Sequence, residues 1–569
     1  MWLLLSCAPH VVEPPAPVPS PTTTWLEDHE RLVVVLGTND IHGAVLPSTW
    51  TRDGQAQAVG GFEQLSGAVA SLREGLAAQH GDRVDVVLLD GGDQFQGTLL
   101  SNFDQGGLVF ELLDLIGYDA VVPGNHGHDF APGTTMDPSS GDVTATGEGP
   151  PVLRELAASV DVPLLGANVW LRDGETCPEL EHPSWIAPYT VLDKAGVRVG
   201  VVGVEHPETP LMTNPENVGD WCFSDPVAAV ERVLDAVEDE ADVWLVVGHV
   251  GDGRGSSDLS ELTAALAGRI DGVVGGHTHF ENRIWEGGVP AIQSGSSARQ
   301  IGRIDLVVDT RTGEVDRRKT RSVAGLPLWH QACDVRAPWC AVTEDGVAWE
   351  GVEVVPAPEV SARVAAAVEA LAPLAELQLG SSEVRLERHR IDENALANAL
   401  TDALLAAVPG GDMVLLNSGG MRAPIEPGPL DYEHFFQVLP FDNEVVRLSC
   451  PAETVRALLH HSADQCGRHG ALFPAGARVS FTRRDCDGGE GETVLHEAVL
   501  ADGRDLLTTE AAVEVLTVDF LAGGGSGYSE FTSCDTVERL GNQRQLLVHR
   551  FLEQPFDGGA GIDGRWRTL

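Results

Sequence analysis

Five times in this chain a short run of valine and leucine stops at a cluster in which glycine stands beside Asp, Asn or His. Leu32-Val33-Val34-Val35-Leu36 runs into Gly37-Thr38-Asn39-Asp40-Ile41-His42, and Val86-Val87-Leu88-Leu89 into Asp90-Gly91-Gly92-Asp93. Val121-Val122 leads to Pro123-Gly124-Asn125-His126-Gly127-His128-Asp129, Val246-Val247 to Gly248-His249, and Val273-Val274 to Gly275-Gly276-His277-Thr278-His279. Runs this short and this β-branched read as buried strands of a layered α/β fold, with amphipathic stretches between them as helices. Strands are predicted at 32–36, 84–89, 119–122, 197–204, 243–247 and 272–274. The carboxyl ends of such strands open onto one crevice, so side chains far apart in sequence converge there. Glycine beside them lets the backbone turn sharply and leaves room for a ligand.

The convergent residue types specify a chemistry. Asp, Asn and His together suit a borderline divalent ion such as Zn, Mn, Co or Fe, whereas calcium takes oxygen ligands alone. Seven candidates, Asp40, His42, Asp93, Asn125, His249, His277 and His279, exceed the needs of one tetrahedral site. A carboxylate can also bridge two cations, so a pair of ions is the expectation. His128, His206, His434, His460 and His461 read as capping or core histidines.

The order Asp-x-His, Gly-Asp, Gly-Asn-His-x-x-Asp, Gly-His, Gly-His-x-His resembles the calcineurin-like metallophosphoesterases. More narrowly it resembles their 5′-nucleotidase branch, which includes UDP-sugar hydrolases and 2′,3′-cyclic-nucleotide phosphodiesterases. The likeness runs through nearly the whole chain after its first residues and includes Gly166-Ala167-Asn168 and the run from Val197 to Gly203. It implies a four-layer α/β/β/α metallophosphoesterase domain followed by a smaller α/β substrate-binding domain. It also implies that Asp40, His42 and His279 hold one ion, Asn125, His249 and His277 the other, and that Asp93 bridges them. His126, oriented by Asp129, would act at the leaving-group or phosphoryl oxygen as the catalytic pair. Gly127 and His128 depart from the Glu and Phe common at those places.

The second half carries the marks of substrate binding. Residues 390–398 are predicted to open an amphipathic helix, and Asn417-Ser418-Gly419-Gly420-Met421-Arg422 follows an apolar strand at 413–416. Arg390 and Arg422 each offer a planar fork that grips phosphate or carboxylate through two hydrogen bonds. In a chain where 37 Lys and Arg face 85 Asp and Glu, a net charge of −48, they would form a local positive spot for an anion. The resemblance implies that Phe441, in Leu-Pro-Phe-Asp-Asn, and Phe520, in Phe-Leu-Ala-Gly-Gly-Gly-Ser-Gly-Tyr, sandwich a nucleobase. Asn417, Gly419, Gly420 and Ser526 complete the implied substrate set. Ser526 stands where the family usually has the Asp that holds the ribose hydroxyls, and Gly523 where an Asn is common.

The chain divides as follows on this reading: a signal remnant at 1–7 with a lipobox-like Leu4-Leu5-Ser6-Cys7, a Pro-rich tether at 8–29, the metallophosphoesterase domain at 30–345, a linker at 346–380 with a helix at 358–379, and the C-terminal domain at 381–569. Eight cysteines besides Cys7, with no CxxC, predict disulfides between sequence neighbours in an oxidising compartment, Cys333 to Cys340 first. The expected location is extracytoplasmic, periplasmic or cell-surface, with membrane contact only through a lipid anchor at Cys7. Such acidity excludes duplex nucleic acid as a partner. The expected activity is two-metal hydrolysis of nucleotides to nucleoside and phosphate. The alternatives are UDP-sugar hydrolysis, 2′,3′-cyclic-nucleotide hydrolysis, or a non-catalytic surface lipoprotein that binds without turnover.

Overall fold

The computed structural model describes residues 26–569 except 53, 175, 254, 467–469, 485–491 and 560. The signal remnant with Cys7, most of the tether, and Cys486 lie outside the described residues.

The strand Glu30–Thr38 sits inside a six-stranded sheet, parallel to Val84–Asp90 on one side and antiparallel to Gln300–Asp309 on the other. Beyond Val84–Asp90 lies the short parallel strand Ala120–Val121. A second six-stranded sheet runs in the order Glu281–Glu286, Val289–Ser294, Gly272–Val274, Val243–Gly248, Val197–Val204, Tyr189–Lys194. The period-two alternation of side chains then sorts the valines by face. Val33, Val35, Val87 and Leu89 point toward Val199, Val201, Leu245 and Val247 of the other sheet and share one core with them.

The opposite faces are covered by helices. Val34, Leu36, Val86 and Leu88 pack with Phe62 and Leu65 of the helix Phe62–His80 and Leu112 and Leu113 of Gly107–Ile116. Val202, Val204 and Val246 pack with Val230 and Leu234 of Pro226–Val237 and with Leu259 and Leu262 of Asp258–Ala265. The layers are therefore helix, sheet, sheet, helix. The central strands of both sheets are buried on both faces, and each fully buried Val or Leu contributes about 1.5–3 kcal/mol.

The C-terminal half is built on a five-stranded sheet in the order Leu472–Ala475, Met413–Asn417, Val513–Val518, Glu444–Cys450, Asp535–Asn542. Its first helix is Ala395–Ala407 and not a helix opening at Arg390, because the Asn394 side chain accepts from the Ala397 amide and caps it there. The connecting helix, Pro358–Ala375, also stops short of Leu379, since Gln378–Ser382 pairs as a strand with Gly428–Asp431.

Three disulfides are described: Cys177–Cys222, Cys333–Cys340 and Cys450–Cys534. The last corrects the expected pairing of Cys450 with its neighbour in sequence. Glu444–Cys450 lies antiparallel to Asp535–Asn542, with Ser449 opposite Asp535, and that ladder carries Cys534 to Cys450. Closing a segment 84 residues long restricts the unfolded chain, so replacing both cysteines by serine is expected to cost about 2–5 kcal/mol. Calorimetry of the double variant should show the melting temperature fall; an unchanged transition would refute that contribution.

The two halves meet directly. Asn102 Nδ2 donates to the Pro440 carbonyl at 3.1 Å, Tyr432 Oη to the Gly141 carbonyl at 3.3 Å, and Gln545 Nε2 to the Val143 carbonyl at 3.4 Å. Between them lies a cleft of about 2220 Å³ that both halves line.

Candidate metal centre and substrate cleft

At the floor of the cleft the five strand ends come together. Asp40 is fully buried, and its carboxylate accepts from Asn39 Nδ2 at 2.6 Å and from the His277 amide at 2.8 Å. His279 Nε2 lies 3.4 Å from Asp40 Oδ1 and 2.9 Å from His42 Nε2. On the other side, His249 Nε2 and His277 Nδ1 stand 3.1 and 3.2 Å from Asn125 Oδ1 and 3.2 Å from each other. Asp93 sits between the groups, its Oδ2 3.1 Å from His249 Nε2 and 4.0 Å from His42 Nε2. Its Oδ1 accepts from the His126 amide at 2.9 Å.

The ring nitrogens that turn inward can offer lone pairs to a cation, His249 after losing a proton. His42 and His249 each use Nδ1 against a carbonyl, of Gln96 at 3.1 Å and Gly91 at 2.9 Å, which leaves Nε2 to face the centre. Burial, reinforced by neighbouring histidines, holds His42 and His277 well below the usual imidazole range, so both stay neutral. Burial also opposes charge on His249, but the Asp93 carboxylate outweighs it and pushes the pKa up to about 9. A cation entering there displaces a proton. Acceptor atoms this close, with so few protons among them, fit divalent cations.

The backbone at this floor is unusual. Asp40, His42, Asp93, His277 and His279 all have positive φ, between 50° and 78°, a region costly for any residue but glycine. Gly92 explains the closeness of the approach: with φ 100°, a Cβ there would lie 2.3 Å from His249 Nδ1.

The remaining predicted residues line the same cleft. His126 Nδ1 donates to Asp129 Oδ2 at 2.6 Å, and Asp129 Oδ1 accepts from Thr213 Oγ1 at 2.9 Å. Burial works against a charge on this ring, but Asp129 and then Asp93 prevail and raise its pKa. The Phe441 ring stacks on His126 with centroids 5.6 Å apart, and the Arg422 guanidinium lies 5.6 Å from the Phe441 centroid on its other contact. Arg390, Asn417, Gly419, Gly420, Phe520 and Ser526 line the cleft from the C-terminal half, where Asn417 Nδ2 donates to Ser526 Oγ at 3.0 Å.

Two family models match in succession: the calcineurin-like phosphoesterase over residues 33–281 and the 5′-nucleotidase C-terminal domain over 372–533. This chain belongs to the calcineurin-like phosphoesterases of the 5′-nucleotidase type. The phosphoesterase is 27% identical over 525 residues to the trifunctional nucleotide phosphoesterase protein YfkN of Bacillus subtilis, covering 84% of this chain and only 33% of that one. It is 25% identical over 579 residues to a 5′-nucleotidase of Diplobatis ommata, covering 94% and 89%. Its fold is that of the 5′-nucleotidase precursor from Thermus thermophilus, with a TM-score of 0.71 and 22% identity over 95% of this chain and 99% of that one. It is a hydrolase of phosphate esters.

The structure adds to the phosphoesterase a sixth strand end that the sequence pattern did not single out. Val197–Val204 ends on Glu205-His206. Glu205 Oε2 meets His128 Nε2 at 3.1 Å with both side chains fully buried, directly behind the turn that carries Asn125 and His126. His206 borders the cleft and stacks on His277. No glycine follows this run, so the signal that marked the other five is missing here.

Proposed function

We propose that this phosphoesterase hydrolyses nucleotides outside the cytoplasm, with two divalent ions at the strand ends and the base held by the C-terminal half. Asp40, His42 and His279 would hold one ion and Asn125, His249 and His277 the other, with Asp93 shared. When bound, such ions supply positive charge to the phosphate ester and to the attacking water. The observation that carries the reading is the paired clustering of inward-facing acceptors on either side of Asp93.

The chain's own residues do the rest. His126 keeps its Nδ1 proton on Asp129 and presents Nε2 to the cleft, where it donates to the departing ester oxygen. Arg390 and Arg422 orient the phosphate, and Arg422 is close enough to oppose charge on His126 and His42. Phe441 and Phe520 offer π faces to a base, and stacking of this kind discriminates little among bases. Asn417, fixed by Ser526, and the short Gly419-Gly420 turn shape the wall beside the sugar.

The three described disulfides support export, since such bonds persist in oxidising compartments. The cleft volume, about 2220 Å³, exceeds the roughly 300–1,000 Å³ of ordinary ligand pockets. It leaves room for a nucleotide carrying a second group, as in UDP-sugars.

The deciding experiment is hydrolysis of AMP, ATP, UDP-glucose, 2′,3′-cyclic AMP and p-nitrophenyl phosphate with Mn or Zn, read by chromatography of the products, in the natural protein and in Phe441→Ala. Loss of base stacking at about 1–3 kcal/mol should lower kcat/KM for AMP by roughly 5- to 150-fold, while p-nitrophenyl phosphate loses far less. Equal losses on both esters would overturn the base-binding assignment and leave a general phosphoesterase.

A further inference from the structure

His277 is held differently from His42 and His249 at the floor of the cleft. His42 and His249 each have the second ring nitrogen fixed by a backbone carbonyl. The Nδ1 of His277 faces Asn125 and His249, and its second nitrogen meets no hydrogen-bond partner among the described residues. A ring tied at one edge only is free to turn about its bond to Cβ unless something flat lies against it.

His206 is that flat surface. Its ring lies 4.6 Å from that of His277 at an interplanar angle of 27°. The side chain is locked at both nitrogens: Nδ1 accepts from the Glu208 amide at 3.1 Å, which places the ring proton on Nε2, and Nε2 donates to Asp258 Oδ2 at 3.4 Å. Asp258 is held in turn by Ser256 Oγ, which donates to the same oxygen at 2.8 Å. His206 is only 6% exposed, so the stack is shielded from water except along the cleft.

We propose that His206, anchored by Asp258, is a positioning residue that fixes the His277 ring and thereby governs how tightly the ion facing His277 is retained. The inference rests on the two-ion reading above. Hydrogen-bonded partners of metal ligands are worth about 10- to 100-fold in metal affinity, and the stack gives His206 the same orienting task through a ring face in place of a ring nitrogen.

The test uses the full-length protein loaded with Mn and equilibrated against rising EDTA, with metal per chain measured by elemental analysis and the melting transition recorded after complete chelation. His206→Ala should give up one of two ions at about tenfold lower chelator, with the melting transition after chelation close to that of the natural protein. Asp258→Asn should move the same step in the same direction by a smaller factor. His206→Phe keeps a flat ring while losing both hydrogen bonds, and should restore part of the retention. An unchanged chelator profile in His206→Ala would overturn the proposal, as would a profile in which both ions are lost together. If His206→Ala does not fold, Asp258→Asn decides alone, because that side chain is 44% exposed and tolerates the change. A natural protein that binds no metal at all would overturn the two-ion reading together with this inference, whereas two ions equally retained in every variant would overturn this inference only.

Discussion

Asp93→Asn is expected to reduce kcat/KM for every phosphate ester by at least about 10³-fold, with the fold intact. Asn occupies the same volume, and its carbonyl oxygen can still accept from the His126 amide as Oδ1 of Asp93 does. The other position is decisive. Asp93 Oδ2 points toward His249 and His42 at 3.1 and 4.0 Å. An amide nitrogen there places two protons where a shared anionic ligand is required, and an amide cannot hold two cations together. Elemental analysis should show fewer than two ions per chain, and circular dichroism should match the natural protein. A variant that keeps a tenth of the turnover would show that the carboxylate is not the bridge.

His126→Gln is expected to lower kcat on nucleoside monophosphates by about 10²- to 10⁴-fold, the range for a positioned proton donor. Asp129 and Thr213 hold the imidazole at one edge so that the other faces the cleft. Proton donation matters most when the leaving oxygen is a poor leaving group, as an alkoxide is. The loss should therefore be several-fold larger for AMP than for p-nitrophenyl phosphate, whose phenolate departs without help. Steady-state kinetics on the two esters provides the check. Equal losses would assign His126 to orienting the phosphoryl group. Phe441 sits against the same ring, so removal of His126 also loosens one wall of the proposed base site, and KM for AMP should rise with it.

The layered fold and the seven inward-facing residues could be read from the sequence because strand termination in an α/β sheet is a local event. An apolar run ends at glycine or just before it, and a polar side chain within a few residues enters the crevice. Asp40, Asp93, Asn125, His249 and His277 all follow that rule. Glu205 and His206 do not: their strand ends without glycine, and their roles depend on His128 and His277, which are distant in sequence and reach them only through sheet order. The pairing of Cys450 with Cys534 is equally non-local, since it follows from the ladder between Glu444–Cys450 and Asp535–Asn542. Helix boundaries at Ala395 and Ala375 turned on a single cap and on a strand pairing. Periodicity senses neither.

The left-handed backbone shared by Asp40, His42, Asp93, His277 and His279 sets this chain's working state against its own comfort. Each such residue costs on the order of 1 kcal/mol or more, so five together approach the whole net stability of an ordinary domain, about 5–15 kcal/mol. Glycine at any of the five would relax the chain and remove a proposed ligand in the same stroke. Selection for heat resistance alone would therefore drift toward inert descendants of this protein, and the reactive floor survives only while turnover itself is selected.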